Sequence, residues 1–148
     1  WGLESDFGSG DMGKRSVIRT LATLAHDCRR TDLFQRELIA AMQIVQRGDL
    51  PLSQMIGAFA GELGQTQFLP SSYIKYGVDF DGNGHVDLRH SVPDVLASTA
   101  NLLKVNGWQP GAAYGEGTTN FEVMREWNRA IVYRKTIAYF ADRLAEGQ

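Results

Sequence analysis

At 148 residues, with 43% hydrophobic and 22% charged residues, the chain is long enough to bury a substantial core and has the composition of one ordinary soluble domain, 1–148. Fifteen basic residues against seventeen acidic ones leave a formal charge of −2 with no basic block, which argues against a nucleic-acid partner. No apolar run approaches the roughly 20 residues of a membrane span, and no basic-then-apolar leader opens the chain. The chain begins without methionine inside what reads as a structured segment, so a mature or trimmed piece of a longer protein is expected. Cys28 is the only cysteine, which excludes an internal disulfide and a cysteine-rich metal site; its spacing from Leu21, Leu24 and Ala25 makes it a small core residue.

The opening Trp1-Gly2-Leu3-Glu4-Ser5-Asp6-Phe7-Gly8 sets one carboxylic acid on an apolar, glycine-flanked segment. Apolar residues at Val17, Ile18, Leu21, Leu24, Ala25 and Cys28 then predict a helix over 15–28. Thr31 or Asp32 caps a second helix with Phe34, Leu38, Ala41, Met42 and Val45 inward and Gly48 as its stop, and the short turn between the two predicts an antiparallel pair.

From Gly57 to Tyr73 three glycines and two amides sit among aromatics. Gly57, Gly61 and Gly64 fall at helix-like spacing, and Gln65 and Gln67 carry donors and acceptors suited to hydroxyl and acetamido groups. The stretch reads either as a sugar-lined wall or as a tightly packed helix with a polar connecting loop. Pro70 opens another short helix.

Asp79-Phe80-Asp81-Gly82-Asn83-Gly84-His85-Val86-Asp87 matches the first nine positions of an EF-hand loop. Asp79, Asp81 and Asn83 supply side-chain oxygens, Gly84 makes the sharp turn, His85 contributes its backbone carbonyl, and Val86 packs inward. The twelfth position, ordinarily glutamate, is His90, a poor calcium ligand, so Asp94 is the substitute. Ser91 to Asp94 also fits a capping box opening the helix of Val95, Leu96, Thr99, Leu102 and Leu103, and a metal-free turn held by Asx hydrogen bonds is the competing reading. His85 and His90 are too few ligands for zinc.

That helix stops at Asn106-Gly107, and the glycine-dense stretch from Trp108 to Gly117 is loop. Asn120 caps a short helix with Phe121, Met124 and Trp127; Asn128 breaks the pattern; Tyr133, Ile137, Phe140, Ala141 and Leu144 form the stripe of a last helix. No strand of convincing length is present, only short extended pieces flanking the Asp79 loop.

The Gly-Leu-Glu opening, the GQTQFLPSSY stretch, the EF-hand-like loop and the terminal WNRAIVY occur in one order from Trp1 to Leu144, and together they resemble the MltB-type lytic murein transglycosylases of bacteria. The resemblance implies a mainly α, lysozyme-like helical domain with an EF-hand-like calcium loop, the C-terminal catalytic portion of a protein with a helical segment upstream. It implies a peptidoglycan glycan strand as partner, a periplasmic location, and cleavage of the β-1,4 bond between N-acetylmuramic acid and N-acetylglucosamine by attack of the muramic C6 hydroxyl on its own anomeric carbon. On that chemistry Glu4 would act first as acid, then as base, and the substrate's acetamido group would stabilise the oxocarbenium-like centre, so that no second carboxylate is needed. Trp1, Leu3 and Phe7 are the neighbours available to desolvate it. By the same resemblance Gln67 and Asn128 would bind the sugar or its acetamido group, Tyr133 would hydrogen-bond near the glutamate, Gln65 would be a weaker substrate contact, and Ca2+ would serve stability alone. Two departures stand out: Ala58 where the family often has serine, and Glu62 where it has a small residue. Glu62 or Asp6 as a water-activating carboxylate would make the protein a hydrolytic muramidase; a non-catalytic peptidoglycan-binding module is the third reading.

Overall fold

The computed structural model describes residues 1–27 and 29–147, so the core position expected of Cys28 lies outside the described residues. Two compact units divide the chain, Trp1–Thr99 and Ala100–Gln148. The helices are α1 (Gly2–Ser5), α2 (Val17–His26), α3 (Thr31–Arg47), α4 (Pro70–Tyr76), α5 (Val92–Val105), α6 (Thr119–Val123) and α7 (Ile131–Ala145); the strands are β1 (Arg15–Ser16) and β2 (Ile56–Gly57).

In the first unit α2 starts two residues later than its periodicity predicts, because Arg15 and Ser16 pair antiparallel with Gly57 and Ile56 instead. The Ser16 hydroxyl then caps the helix, accepting the Arg19 N–H at 3.3 Å. Val17 and Leu21 are wholly buried. Thr31 and Asp32 turn out to be the first residues of α3 and not its cap, which is Arg30. Gly48 ends the helix as expected, in the left-handed region at φ 78°.

The inward face of α3 is rotated from the one periodicity predicts. Ala41 is buried, but Met42 is half exposed, and Glu37, Ala40 and Ile44 are buried in its stead. The reason is that α3 packs against both α2 and α4. Glu37 reaches the start of α4, where its carboxylate accepts the Ser71 N–H at 2.8 Å and the Ser71 hydroxyl at 2.7 Å. A buried carboxylate on a helix N-terminus satisfies an orphan donor and meets the positive end of the dipole. Pro70 stands at the first position of α4, where its missing N–H costs nothing.

Gly57 to Phe68 is not helical. It leaves β2 through a turn at Ala58–Gly61 and folds back on itself in a bridge between Leu63 and Phe68. Gly61 and Gly64 hold φ 89° and 76°, and the Leu88 carbonyl sits where a Cβ on Gly64 would lie, so only glycine fits there. The short extended pieces are therefore at Arg15–Ser16 and Ile56–Gly57, not beside the Asp79 loop. Tyr73 is buried beneath that loop and donates its phenol to the Val86 carbonyl. Burial first, then the charges of Asp49 and Asp87, push the phenol above its ordinary pKa and keep it a donor.

The second unit has its own core of Phe121, Met124 and Ala138, flanked by Leu103, Trp108, Tyr114 and Ile137. Asn120 is not the cap of α6; Thr118 is, its hydroxyl accepting the Phe121 N–H at 3.2 Å. Asn120 is wholly buried and pins the glycine-dense loop, accepting from the Gln109 N–H at 2.7 Å and donating to the carbonyls of Gln109 at 2.9 Å and Ala112 at 3.2 Å. In α7 Ala138 is buried, whereas Leu144 on the expected stripe is half exposed. Arg134 is buried too, its guanidinium 4.5 Å from the Phe121 ring centroid and 3.2 Å from Glu122.

Candidate functional site

Glu4 lies in a single helical turn, closed where the Trp1 carbonyl accepts both the N–H and the hydroxyl of Ser5 at 3.1 Å. The chain then leaves α1 through three successive left-handed residues, Asp6 at φ 46°, Phe7 at φ 56° and Gly8 at φ 91°. Two of these are not glycine, and each such residue costs on the order of 1 kcal/mol. Backbone strain of this kind persists only where the surroundings over-determine it. Here the fixing contacts are aromatic and amide. Trp1 and Phe7 meet edge to face at 5.2 Å across the turn, and the Trp1 indole N–H donates to Gln65 Oε1 at 2.6 Å.

Gln65 is 4% exposed, and its Nε2 donates to the Arg89 carbonyl at 2.8 Å while its backbone N–H donates to the Leu88 carbonyl at 2.8 Å. Both ends of the amide are thus engaged inside the protein. Gln65 holds the Glu4 segment against the Leu63–Phe68 turn and the Leu88–Arg89 turn; the sugar contact expected of it stands as a proposal beside this anchoring role. Gly8 shares the junction, since a Cβ there would lie 2.6 Å from Gln65 Oε1. Gly8→Ala is therefore expected to lose about 1 to 2 kcal/mol of stability, from a left-handed alanine and a displaced amide. Urea unfolding checks this, and an unchanged midpoint would count against the Gln65 anchor.

Gln67, at the tip of the same turn, is half-buried and left-handed at φ 54°, a third strained non-glycine residue in the first unit. Its Nε2 donates to the Gly64 carbonyl at 2.8 Å, which orients the amide and leaves Oε1 able to accept. Of the neighbours expected to desolvate Glu4, Trp1 is half-buried, but Leu3 and Phe7 are 43% and 49% exposed. Glu4 itself is partly buried.

The other carboxylates of this region are committed locally. Glu62 accepts the Ala60 N–H at 2.9 Å and so closes the turn that carries Ala58. Asp6 accepts the Ser9 hydroxyl at 3.0 Å, and Asp11 accepts the Gly13 N–H at 2.9 Å beside Lys14. Asn128 and Tyr133 belong to the second unit. Asn128 Oδ1 accepts the Ala130 N–H at 2.9 Å before α7, and Tyr133 meets Trp127 edge-on at 6.2 Å.

In the Asp79 loop the side chains fold inward on backbone amides. Asp79 accepts from Gly82 at 2.8 Å, Asn83 at 3.1 Å and Gly84 at 2.8 Å; Asp81 accepts from Asn83 at 3.2 Å and from the Ser91 hydroxyl at 2.7 Å; Asn83 accepts from His85 at 3.0 Å. Asp94, wholly buried, accepts the N–H groups of Phe80 at 2.8 Å, Asp81 at 3.4 Å and Asp87 at 2.9 Å. One carboxylate oxygen each from Asp79, Asp81 and Asp94 falls within 4.8 Å of the others. His90 is not among them; its ring pairs with Asp87 at 3.0 Å. Hard oxygen donors at this separation fit a hard divalent cation, and each carboxylate oxygen that takes one N–H keeps a second lone pair.

Residues 1–119 match the family model described as Transglycosylase SLT domain. Membrane-bound lytic murein transglycosylase B of Escherichia coli strain K12 is 41% identical over 112 residues, covering 74% of this chain and 30% of that protein. Among solved structures, SltB3 of Pseudomonas aeruginosa in complex with NAG-NAM-pentapeptide is 52% identical with a TM-score of 0.74, over 78% of this chain and 30% of its own. The same protein with NAG-anhNAM-pentapeptide superposes with a TM-score of 0.73. The Escherichia coli lytic transglycosylase SLT35 in complex with calcium is 27% identical with a TM-score of 0.83, over 99% of this chain and 65% of its own. The chain thus spans about 30% of the length of the curated relative it matches.

Proposed function

The chain belongs to the transglycosylase SLT domain family, and on that premise we propose that it is the catalytic domain of a peptidoglycan lytic transglycosylase, acting where peptidoglycan lies, in the periplasm. No helix among the described residues is long and apolar enough to cross a membrane. The observation that carries the reading is the strained Glu4 turn, bound through Trp1 and Gln65 to the turn that presents Gln67.

In the proposed reaction the Glu4 carboxyl gives its proton to the glycosidic oxygen that leaves with N-acetylglucosamine, and the bond from that oxygen to the muramic anomeric carbon breaks. The resulting carboxylate takes the proton of the muramic C6 hydroxyl as its oxygen bonds to the same carbon. Proton and electron pairs balance, and no water is consumed. The Gln67 amide orients the sugar. For Asn128 and Tyr133 the sugar contacts implied by resemblance stand as proposals; Asn128 keeps its Nδ2 as the donor. Transglycosylation is the favoured reading because it needs the Glu4 carboxyl alone, whereas Glu62, Asp6 and Asp11, the carboxylates a hydrolase would draw on, are each oriented by local donors.

Digestion of purified peptidoglycan with mass analysis of the new ends tests the proposal. Anhydromuramoyl ends are expected; reducing muramic ends would favour the muramidase, and binding without new ends the non-catalytic module.

Calcium fits the Asp79, Asp81 and Asp94 cluster, with Asn83 and the His85 carbonyl completing the oxygen set implied by the EF-hand-like spacing. The ion would neutralise three carboxylates held close together and take no part in catalysis. Calcium is expected to raise the melting temperature, by about 2.7 kcal/mol of stabilisation at a hundred times its Kd, and Asp79→Ala to remove the rise. A melting temperature indifferent to calcium would argue for a turn held by Asx hydrogen bonds alone.

A further inference from the structure

The first unit has a cavity of about 250 Å3 lined by Arg15, Arg19, Thr20, Thr23, Leu24 and Phe59, none of which the proposed glycan chemistry uses. The β1–β2 pairing sets Arg15 opposite Gly57, and the turn that follows swings Phe59 back so that the Arg15 guanidinium lies 5.6 Å from its ring centroid. Phe59 is 70% exposed, an apolar platform with one face toward a cation and the rest toward solvent. Arg19 stands four residues after Arg15, on the first turn of α2, and Thr20 next to it lines the same cavity. Neither guanidinium has an acidic partner among the described residues, although the chain has more acids than bases.

Two unpaired guanidiniums, hydroxyls and an apolar plate in one concavity recognise a carboxylate attached to an apolar or peptide group. The segment continues without a break from Phe59 through the Leu63–Phe68 bridge to Gln67, so the cavity and the sugar wall are carried on one piece of chain. We infer that the cavity is a subsite for a free carboxylate of the stem peptide borne by the muramic acid. The inference rests on the proposed action on peptidoglycan. A stem pentapeptide always has a C-terminal carboxylate, and Phe59 packs against the aliphatic part of the residue next to it.

The test is isothermal titration of the intact chain with NAG-NAM-pentapeptide and with NAG-NAM lacking the peptide, for the parent and for R15Q/R19Q. The parent is expected to bind the pentapeptide form about tenfold more tightly, and the double variant to lose that preference, as for the loss of a charge-assisted pair. F59A is expected to lose part of it. A parent without the preference, or a double variant that keeps it with an unchanged unfolding midpoint, would overturn the subsite. The cleavage assay on the parent is read separately. New anhydromuramoyl ends with no stem preference leave the transglycosylase standing and remove the subsite; a stem preference without new ends does the reverse.

Discussion

Glu4→Gln is expected to lower the rate of anhydromuramoyl end formation by about 10³ to 10⁴-fold while leaving the unfolding midpoint where it was. The amide is isosteric with the carboxyl, so the turn from Trp1 to Ser5, which is closed by backbone and Ser5 groups, persists. What the amide lacks is a transferable proton for the leaving oxygen and a basic site for the C6 hydroxyl proton. In the proposed mechanism one carboxyl does both jobs, so both steps are expected to fail together, and the loss corresponds to about 4 to 5.5 kcal/mol of transition-state stabilisation. In an enzyme with separate acid and base carboxylates, removing one leaves part of the machinery in place. The measurement is single-turnover digestion of purified peptidoglycan, with ends identified by mass and circular dichroism melting on the same samples. A variant that still makes anhydromuramoyl ends at a tenth of the parent rate would remove Glu4 from the mechanism. A variant that switches to reducing ends would place a water-activating carboxylate, Glu62 foremost, in the cleft.

The features legible in the sequence are those set by local chemistry. The helices α2, α3, α4, α5 and α7 follow from apolar periodicity together with Gly48, Pro70 and Gly107 at their ends. The Asp79 loop follows from alternating oxygen-bearing side chains, which do fold onto their own backbone amides. What local reading misses depends on partners far along the chain. Gln65 has the two bonds of a scaffold residue because Trp1 and Arg89 come to it, and no spacing within its own stretch announces that. Glu37 is an acid on a helix face that looks simply polar until Ser71 is placed on it. The spacing of Gly57, Gly61 and Gly64 imitates a helix, yet their purpose is a pair of turns in close backbone contact, and glycine serves both without a distinguishing pattern. Two-residue strands such as β1 and β2 are too short to show alternation.

Asp94→Ala is expected to lose about 3 kcal/mol or more of stability even in the presence of a chelator. Its carboxylate is wholly buried and receives the N–H groups of Phe80, Asp81 and Asp87, so it ties both ends of the Asp79 loop to the first turn of α5. Truncation leaves these donors without their acceptor at about 1 to 3 kcal/mol for each that water does not reach, and it opens a small void. Asp94→Asn keeps one acceptor oxygen and should fall between parent and alanine. Calcium separates the two roles the position combines. If Asp94 also supplies a ligand, calcium stabilises the parent by mass action but not the alanine variant, and the gap between them widens as calcium is added. If its work is confined to the amides, the gap is the same with calcium and with chelator. Urea unfolding under both conditions reads this directly. A chelator-state gap below about 1 kcal/mol would mean that the loop is not organised through these amide bonds.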